Sequence, residues 1–358
     1  MSLFGGAYDG LRVVVTGHTG FKGSWLALWL KELGAEVTGV ALAPEASPNH
    51  WDLLALEVTD ERLDIRNHER LADIVRRSNP QIVFHLAAQP LVRRSYRDPI
   101  ETWSTNVIGS ANVLEACRQS ESVRAVLVVT TDKCYENREW PWGYRETDRL
   151  GGHDPYSASK AAVELLSASY RSSYFNAADG PLLATARAGN VIGGGDWSED
   201  RLVPDLMRSH VSRTQLEVRS PSSTRPWQHV LESASAYLLL GQRLLEGKKE
   251  FAQAWNFGPD SESKRTVGEL LEAMRQEWPT LSWSRSDQSH PHESGLLWLD
   301  ISKAREHLRW APVWDFRKTV NKTAAWYEEF YSSGVVSSRA QLAEYVRDAR
   351  AAGAAWAE

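Results

Sequence analysis

The 358-residue sequence predicts an α/β protein, a doubly wound parallel sheet followed by a smaller C-terminal substrate-binding lobe. Three observations carry that expectation. From Arg12 to about Ala188, short β-branched runs alternate with longer stretches whose apolar residues recur at helical spacing. The first run, Val13-Val14-Val15-Thr16, feeds straight into a glycine-spaced turn and an apolar helix. After Gly189 the alternation stops, and Gly193-Gly194-Gly195-Asp196, Arg219-Ser220-Pro221 and Arg225-Pro226-Trp227 read as loops between shorter elements.

The strands expected in order are 12–16, 36–42, 81–86, 124–130 and 183–188, with helices over 20–33, 67–77, 100–118 and 156–174. This places a dinucleotide-binding domain over residues 10–188 and a mainly substrate-binding lobe over 189–335, from which a helix at about 230–245 can return to the sheet. Residues 336–358 form a helical tail, read as an isolated helix, and no internal repeat is present.

Apolar residues make up 42% and charged residues 24%, as in an ordinary globular chain. A formal charge of −5 argues against nucleic acid or an anionic membrane as the main partner, so any phosphate must meet a local basic site. Two cysteines, Cys117 and Cys134, cannot build a disulfide framework, and no apolar run suits a signal or a membrane span. A reducing cytoplasm is the expected location.

In the turn Gly17-His18-Thr19-Gly20-Phe21-Lys22-Gly23, glycines allow a tight bend and close backbone approach to a pyrophosphate. The helix that follows offers unpaired N–H groups and a positive dipole end, the chemistry of a Rossmann-type dinucleotide site. Asp64-Ile65 ends a short strand, and His85-Leu86-Ala87-Ala88-Gln89 closes the next. With the Gly-x-x-Gly-x-x-Gly spacing, these stretches resemble the extended short-chain dehydrogenase/reductase family. The resemblance implies that Gly17, Thr19, Gly20, Phe21, Lys22, Gly23, Asp64, Ile65, Leu86, Ala87, Ala88, Asn106, Thr130, Tyr156 and Lys160 hold the cofactor. The second strand ends Ala41-Leu42-Ala43 without the usual ribose-binding acid, yet no arginine follows to hold a 2′-phosphate. Glu45 stands nearby, so NAD is the expected cofactor over NADP.

Tyr156-Ser157-Ala158-Ser159-Lys160 puts a phenol and an ammonium on one helix face behind Asp154-Pro155. The cation favours the phenolate, which can take a proton from a sugar hydroxyl. Thr131-Asp132-Lys133 follows the expected strand 124–130. Hydride transfer alone needs only the hydroxyl and the Tyr–Lys pair, whereas loss of water also needs an acid and a base, for which Asp132 and Lys133 are candidates.

Longer stretches narrow the resemblance: Glu139-Trp140-Pro141-Trp142-Gly143-Tyr144-Arg145-Glu146, Arg187-Ala188-Gly189-Asn190-Val191-Ile192-Gly193, and Arg225-Pro226-Trp227-Gln228-His229-Val230. Over nearly its whole length the chain is similar to the nucleotide-sugar 4,6-dehydratases of that family, in the branch acting on CDP-glucose. A glutamate stands at the position of Lys133 in the dTDP-glucose branch. The resemblance implies C4 oxidation, loss of water across C5 and C6, and hydride return to C6. Thr131 would hold O4, Tyr156 deprotonate it, Asp132 protonate the leaving O6 and Lys133 act at C5. Gln89, Asn190, Arg201, Arg219, Arg225 and His292 would bind the substrate, arginine suiting its diphosphate. It further implies a homodimer or tetramer paired through helices 100–118 and 156–174, and supply of deoxysugars for bacterial surface polysaccharide such as the lipopolysaccharide O antigen. His290-Pro291-His292-Glu293 lacks helical ligand spacing and a third ligand, so no metal is expected. The rival readings are a nucleotide-sugar 4-epimerase, a dehydratase of another nucleotide hexose, and a non-catalytic NAD(P)-binding sensor.

Overall fold

The computed structural model describes residues 2–176, 180–260, 263–286 and 296–358. Its centre is a seven-stranded parallel sheet. The strands are β1 (Arg12–Thr16), β2 (Glu36–Ala41), β3 (Thr59–Arg62), β4 (Ile82–His85), β5 (Ala125–Val129) and β6 (Leu182–Ala188). Three short strands, β7 (Val191–Ile192), β8 (Leu216–Val218) and β9 (Thr224–Pro226), and a fourth, β10 (Gln228–His229), lie outside it, and β11 (Ala254–Phe257) completes it. The order is β11-β6-β5-β4-β1-β2-β3, reversing direction between β1 and β4, where a doubly wound sheet opens its crevice. Val13, Val14 and Val15 are fully buried because helices cover both faces.

Helices α1 (Phe21–Glu32), α2 (His50–Leu54), α3 (His68–Ser78), α4 (Val92–Arg97), α5 (Pro99–Trp103), α6 (Gly109–Arg118) and α7 (Pro155–Ser173) connect the first six strands. The single helix expected over 100–118 is three pieces: α5, a π-helical turn at Ser104–Ile108, and α6. The π turn carries Asn106, which lies buried against Gln89 and Ser159.

Beyond β7 come α8 (Leu202–Val211), α9 (Val230–Leu245) and α10 (Val267–Glu277). Strand β12 (Lys264–Thr266) pairs with β9, and β13 (Trp283–Arg285) with β8. The central sheet does not end at 188: β11 pairs in parallel with β6 over Ala254–Phe257, and α9 packs on β5 and β6. Four residues, Ala-Trp-Asn-Phe, are too short to show a period, so this edge strand leaves no sequence signal.

The tail is not isolated. Helix α11 (Phe316–Ser333) leads into α12 (Ser338–Ala351), which lies against α1. Ser338 Oγ hydrogen-bonds His50 Nε2 at 2.7 Å and accepts from Trp326 Nε1 at 2.9 Å. Trp356 stacks on Phe4 with ring centroids 5.1 Å apart, and its carbonyl accepts the Phe4 N–H. Tyr345 donates to the buried Glu232 carboxylate at 2.6 Å, which also accepts the N–H groups of Val313 and Trp314. Glu232→Ala strands the Val313 and Trp314 N–H groups and leaves Tyr345 only Ser235 Oγ, 3.1 Å away, at a cost of about 3 kcal/mol. Chemical denaturation checks it; an unchanged midpoint removes Glu232 as the anchor of the tail. Trp25, Trp29, Trp255, Trp310 and Trp326 are fully buried, so these tryptophans are core rather than sugar-stacking surfaces.

Candidate active site

A cavity of about 1310 Å³ opens along the C-terminal edge of the sheet, between the glycine turn and the loops after 188. Its floor is the turn from β1 into α1. Gly17 has φ +76°, and a Cβ there would lie 2.7 Å from the Ala87 nitrogen. A Cβ on Gly23 would meet the Gly17 carbonyl at 2.0 Å, so both positions require glycine. No side chain caps α1, whose N-cap is Gly20, leaving its first-turn N–H groups to the cavity. That uncapped end beside a Cβ-free cradle suits a dinucleotide pyrophosphate.

Thr19, Phe21, Lys22, Asp64, Ile65, Leu86, Ala87, Ala88 and Thr130 line the same space. Burial, reinforced by Arg201, lowers Lys22 to about 7. Leu42 follows the end of β2, exposed, where an acid is missing, and Glu45 is held by Arg94 at 2.8 Å. Asn106 stands behind the wall instead of lining it. Its Oδ1 accepts the Gln89 N–H at 2.8 Å and its Nδ2 donates to Ser159 Oγ at 2.9 Å, so it fixes the cavity-lining loop to α7.

Strand β5 delivers the reacting groups. Thr131 N-caps the short turn Asp132–Cys134, accepting the Lys133 N–H at 3.3 Å while its hydroxyl donates to Asp132 Oδ1 at 3.0 Å. Asp132 is 2% exposed, and its Oδ2 has no hydrogen-bond partner. Such an atom is costly to bury unless another group meets it. Lys133 lines the cavity, half-buried. Facing this turn, α7 begins at Pro155 behind the Asp154 cap and presents Tyr156 and Lys160. Tyr156 lies within hydrogen-bonding reach of Thr131; burial pushes its phenol up to about 12, against the cation of Arg201 and the Thr131 bond. The expected net lowering is therefore not met by the protein groups alone. Burial pulls Lys160 down to about 8, against the charge of Glu164, and its Nζ donates to the Val129 carbonyl at 3.2 Å.

On the other wall stand Asn190, Arg201, Arg219 and Arg225. Arg225 is buried and donates to the Thr224 carbonyl at 2.9 Å. Gln89 lines the cavity, but its side chain is committed to its own loop: Nε2 donates to the Leu91 carbonyl and Thr102 Oγ1, and Oε1 accepts the Leu91 N–H. His292, with the His290–Glu293 stretch, lies outside the described residues. Gly189 was missed as a site residue; a Cβ there would lie 3.0 Å from Asp132 Oδ2 and 3.1 Å from Pro226 Cγ. Gly189→Ala displaces the carboxyl and lowers turnover about 10-fold with the fold intact. Steady-state kinetics beside a thermal melt test this, and wild-type turnover would show that Asp132 has room to spare.

Sheet, glycine cradle and the Tyr156–Lys160 face opposite Thr131 define an extended short-chain dehydrogenase/reductase. Residues 14–323 match the family described as GDP-mannose 4,6 dehydratase, and the chain belongs to that family. It is 45% identical to a CDP-glucose 4,6-dehydratase from Salmonella typhimurium, covering 95% of this chain and 97% of that one. A probable dTDP-glucose 4,6-dehydratase from Sinorhizobium fredii is 26% identical over 89% of this chain and 93% of its own. Among solved structures, the UDP-glucose 4-epimerase of Thermus thermophilus in complex with NAD aligns with a TM-score of 0.76 at 26% identity, covering 89% of this chain and 99% of that one.

Proposed function

We propose that the chain converts CDP-D-glucose to CDP-4-keto-6-deoxy-D-glucose with NAD held in the central cavity. The observation that carries the reading is the unpartnered Asp132 carboxylate oxygen, next to Thr131, which lies within hydrogen-bonding reach of Tyr156, with Lys133 and Lys160 lining the same cavity. A 4-epimerase or a silent sensor has no use for it, whereas an elimination does. The 45% identity to the Salmonella CDP-glucose enzyme supports the nucleotide, and the NAD complex of the Thermus relative supports the cofactor.

A nicotinamide dinucleotide bound there supplies a hydride acceptor that later gives the hydride back. Tyr156 takes the O4 proton as the C4 hydride leaves, with Thr131 orienting O4 and Lys160 stabilising the phenolate. The resulting 4-ketone acidifies the C5 hydrogen. Lys133, neutral at that step, removes that proton, and Asp132, protonated at that step, gives its proton to O6, so water departs. Return of the hydride to C6 and of a proton from Lys133 to C5 would leave a net redox-neutral dehydration. Arg201, Arg219, Arg225 and Asn190 hold the nucleotide diphosphate.

Competing-substrate kinetics are the test: CDP-glucose should show a kcat/KM at least about 10-fold above dTDP- and UDP-glucose. A higher value for dTDP-glucose overturns the nucleotide assignment. Substrate deuterated at C4 should give product labelled at C6; label in free reduced cofactor would instead indicate a plain dehydrogenase. Ile100, Trp103, Ile108 and Leu165 are exposed on α5, the π turn and α7, which supports a homo-oligomer paired through these helices. A cytoplasmic location and a role in surface-polysaccharide deoxysugar supply complete the reading.

A further inference from the structure

We propose that the buried Glu164–Arg187 pair is the positioning element of the acid–base centre, clamping both flanks of the Thr131–Cys134 turn and backing Lys160 from one helical turn away. The inference rests on the catalytic reading above. Tyr156, Lys160 and Glu164 recur every four residues along α7, so one face carries phenol, ammonium and carboxylate in succession. The side chains of Arg187 and Glu164 are 4% and 3% exposed and 2.8 Å apart. Glu164 Oε1 accepts the Thr130 hydroxyl, and Oε2 accepts that of Thr185 at 2.7 Å. Arg187 donates to the Tyr135 hydroxyl at 2.6 Å, and its guanidinium lies 4.9 Å from that ring's centroid.

Thr130 immediately precedes the reactive turn and Tyr135 immediately follows it. One carboxylate therefore holds the entry and one guanidinium the exit. Tyr135 passes the restraint on, donating to Asn256 of β11 at 2.7 Å. A buried ion pair of this kind adds little net stability over packed apolar residues. What it adds is direction, because the arginine fork and two carboxylate oxygens fix several partners at set angles, as apolar contacts cannot.

Glu164 also contributes to the field at Lys160. That ammonium faces Glu164 on its own helix, Cys134 from the turn, Lys22 from α1 and His85 from β4. Glu164 is the carboxylate that opposes the burial pulling Lys160 down. Neutralising it leaves the Arg187 guanidinium uncompensated nearby and makes the Lys160 ammonium less stable.

The test is Glu164→Gln in the full chain, read in two ways. Without substrate, carbon-13 NMR titration of lysine Cε, with Lys160 identified by its loss in Lys160→Arg, should show a pKa lowered by about one unit. With CDP-glucose, kcat should fall about 100-fold while KM stays within about 3-fold, and the alkaline limb of the rate profile should move down with Lys160. The double variant Glu164→Gln/Arg187→Met separates clamp from fold: its thermal midpoint should recover toward wild type while kcat stays low. If Glu164→Gln does not fold, Glu164→Asp keeps the charge but draws it back from Thr130, so kcat should fall with the Lys160 titration unmoved. An unshifted Lys160 in Glu164→Gln, full kcat in the double variant, or full kcat in Glu164→Asp overturns the inference. A wild-type protein that turns over no nucleotide hexose sinks the catalytic reading instead, and the Lys160 titration still decides the pair.

Discussion

Tyr156→Phe is expected to lower kcat/KM for CDP-glucose by about 1,000-fold, some 4 kcal/mol of transition-state stabilisation, with cofactor affinity nearly unchanged. The phenyl ring refills the same buried space, so the fold should survive. Only the proton acceptor is lost. Because Tyr156 acts in the first step, reduced-cofactor absorbance should fail to build up on mixing with substrate, and neither ketone nor 6-deoxy product should form. The wild-type rate carries a matching pH signature. Lys160 loses its proton as pH rises through about 8, so support for the phenolate is present below that pH and fades above it. Retention of C4 oxidation in Tyr156→Phe would move the base to another residue, with Thr131, within hydrogen-bonding reach of the phenol, the first to examine.

Why the cofactor floor was legible and the far wall less so follows from the range of the contacts. The turn from β1 into α1 is local: strand, glycines and helix lie within about twenty residues, Gly23 meets the backbone of that same stretch, and Gly17 meets the end of the neighbouring strand β4. Tyr156 and Lys160 share a face by helical spacing alone. Gln89 and Asn106 carried polar signals that their sequence neighbours could not interpret, since the two satisfy each other's groups across a π turn. The Asp132–Gly189 approach joins the ends of two neighbouring strands, and only the folded sheet brings them together. The tail was misread for a similar reason: Tyr345 and Trp356 find their aromatic partners at Trp29 and Phe4, more than 300 residues earlier. Glu164 stands one helical turn beyond Lys160, but what it does depends on Arg187, which comes from β6 and has no periodic sign.

Lys133→Met is expected to split the reaction between its first and second halves. The side chain lines the cavity one residue after the buried Asp132, on a turn whose ends are fixed by Thr130 and Tyr135. Methionine keeps the length and the apolar stem but offers no basic nitrogen. Tyr156, Thr131 and Lys160 stay in place, so C4 oxidation should proceed and reduced-cofactor absorbance should rise and persist. Formation of the 4-keto-6-deoxy product should fall by about 100- to 1,000-fold, the usual worth of a positioned base. An ammonium cannot remove a proton, so Lys133 must be neutral when it acts, whereas a lysine that only pairs with Asp132 or steadies the enolate can stay charged throughout. Exchange in deuterium oxide tells these apart: a base at Lys133 requires the variant to lose wash-in at C5 along with product. If Lys133→Met exchanges C5 at the wild-type rate while elimination stalls, the proton is taken elsewhere and Lys133 serves the enolate or the leaving group.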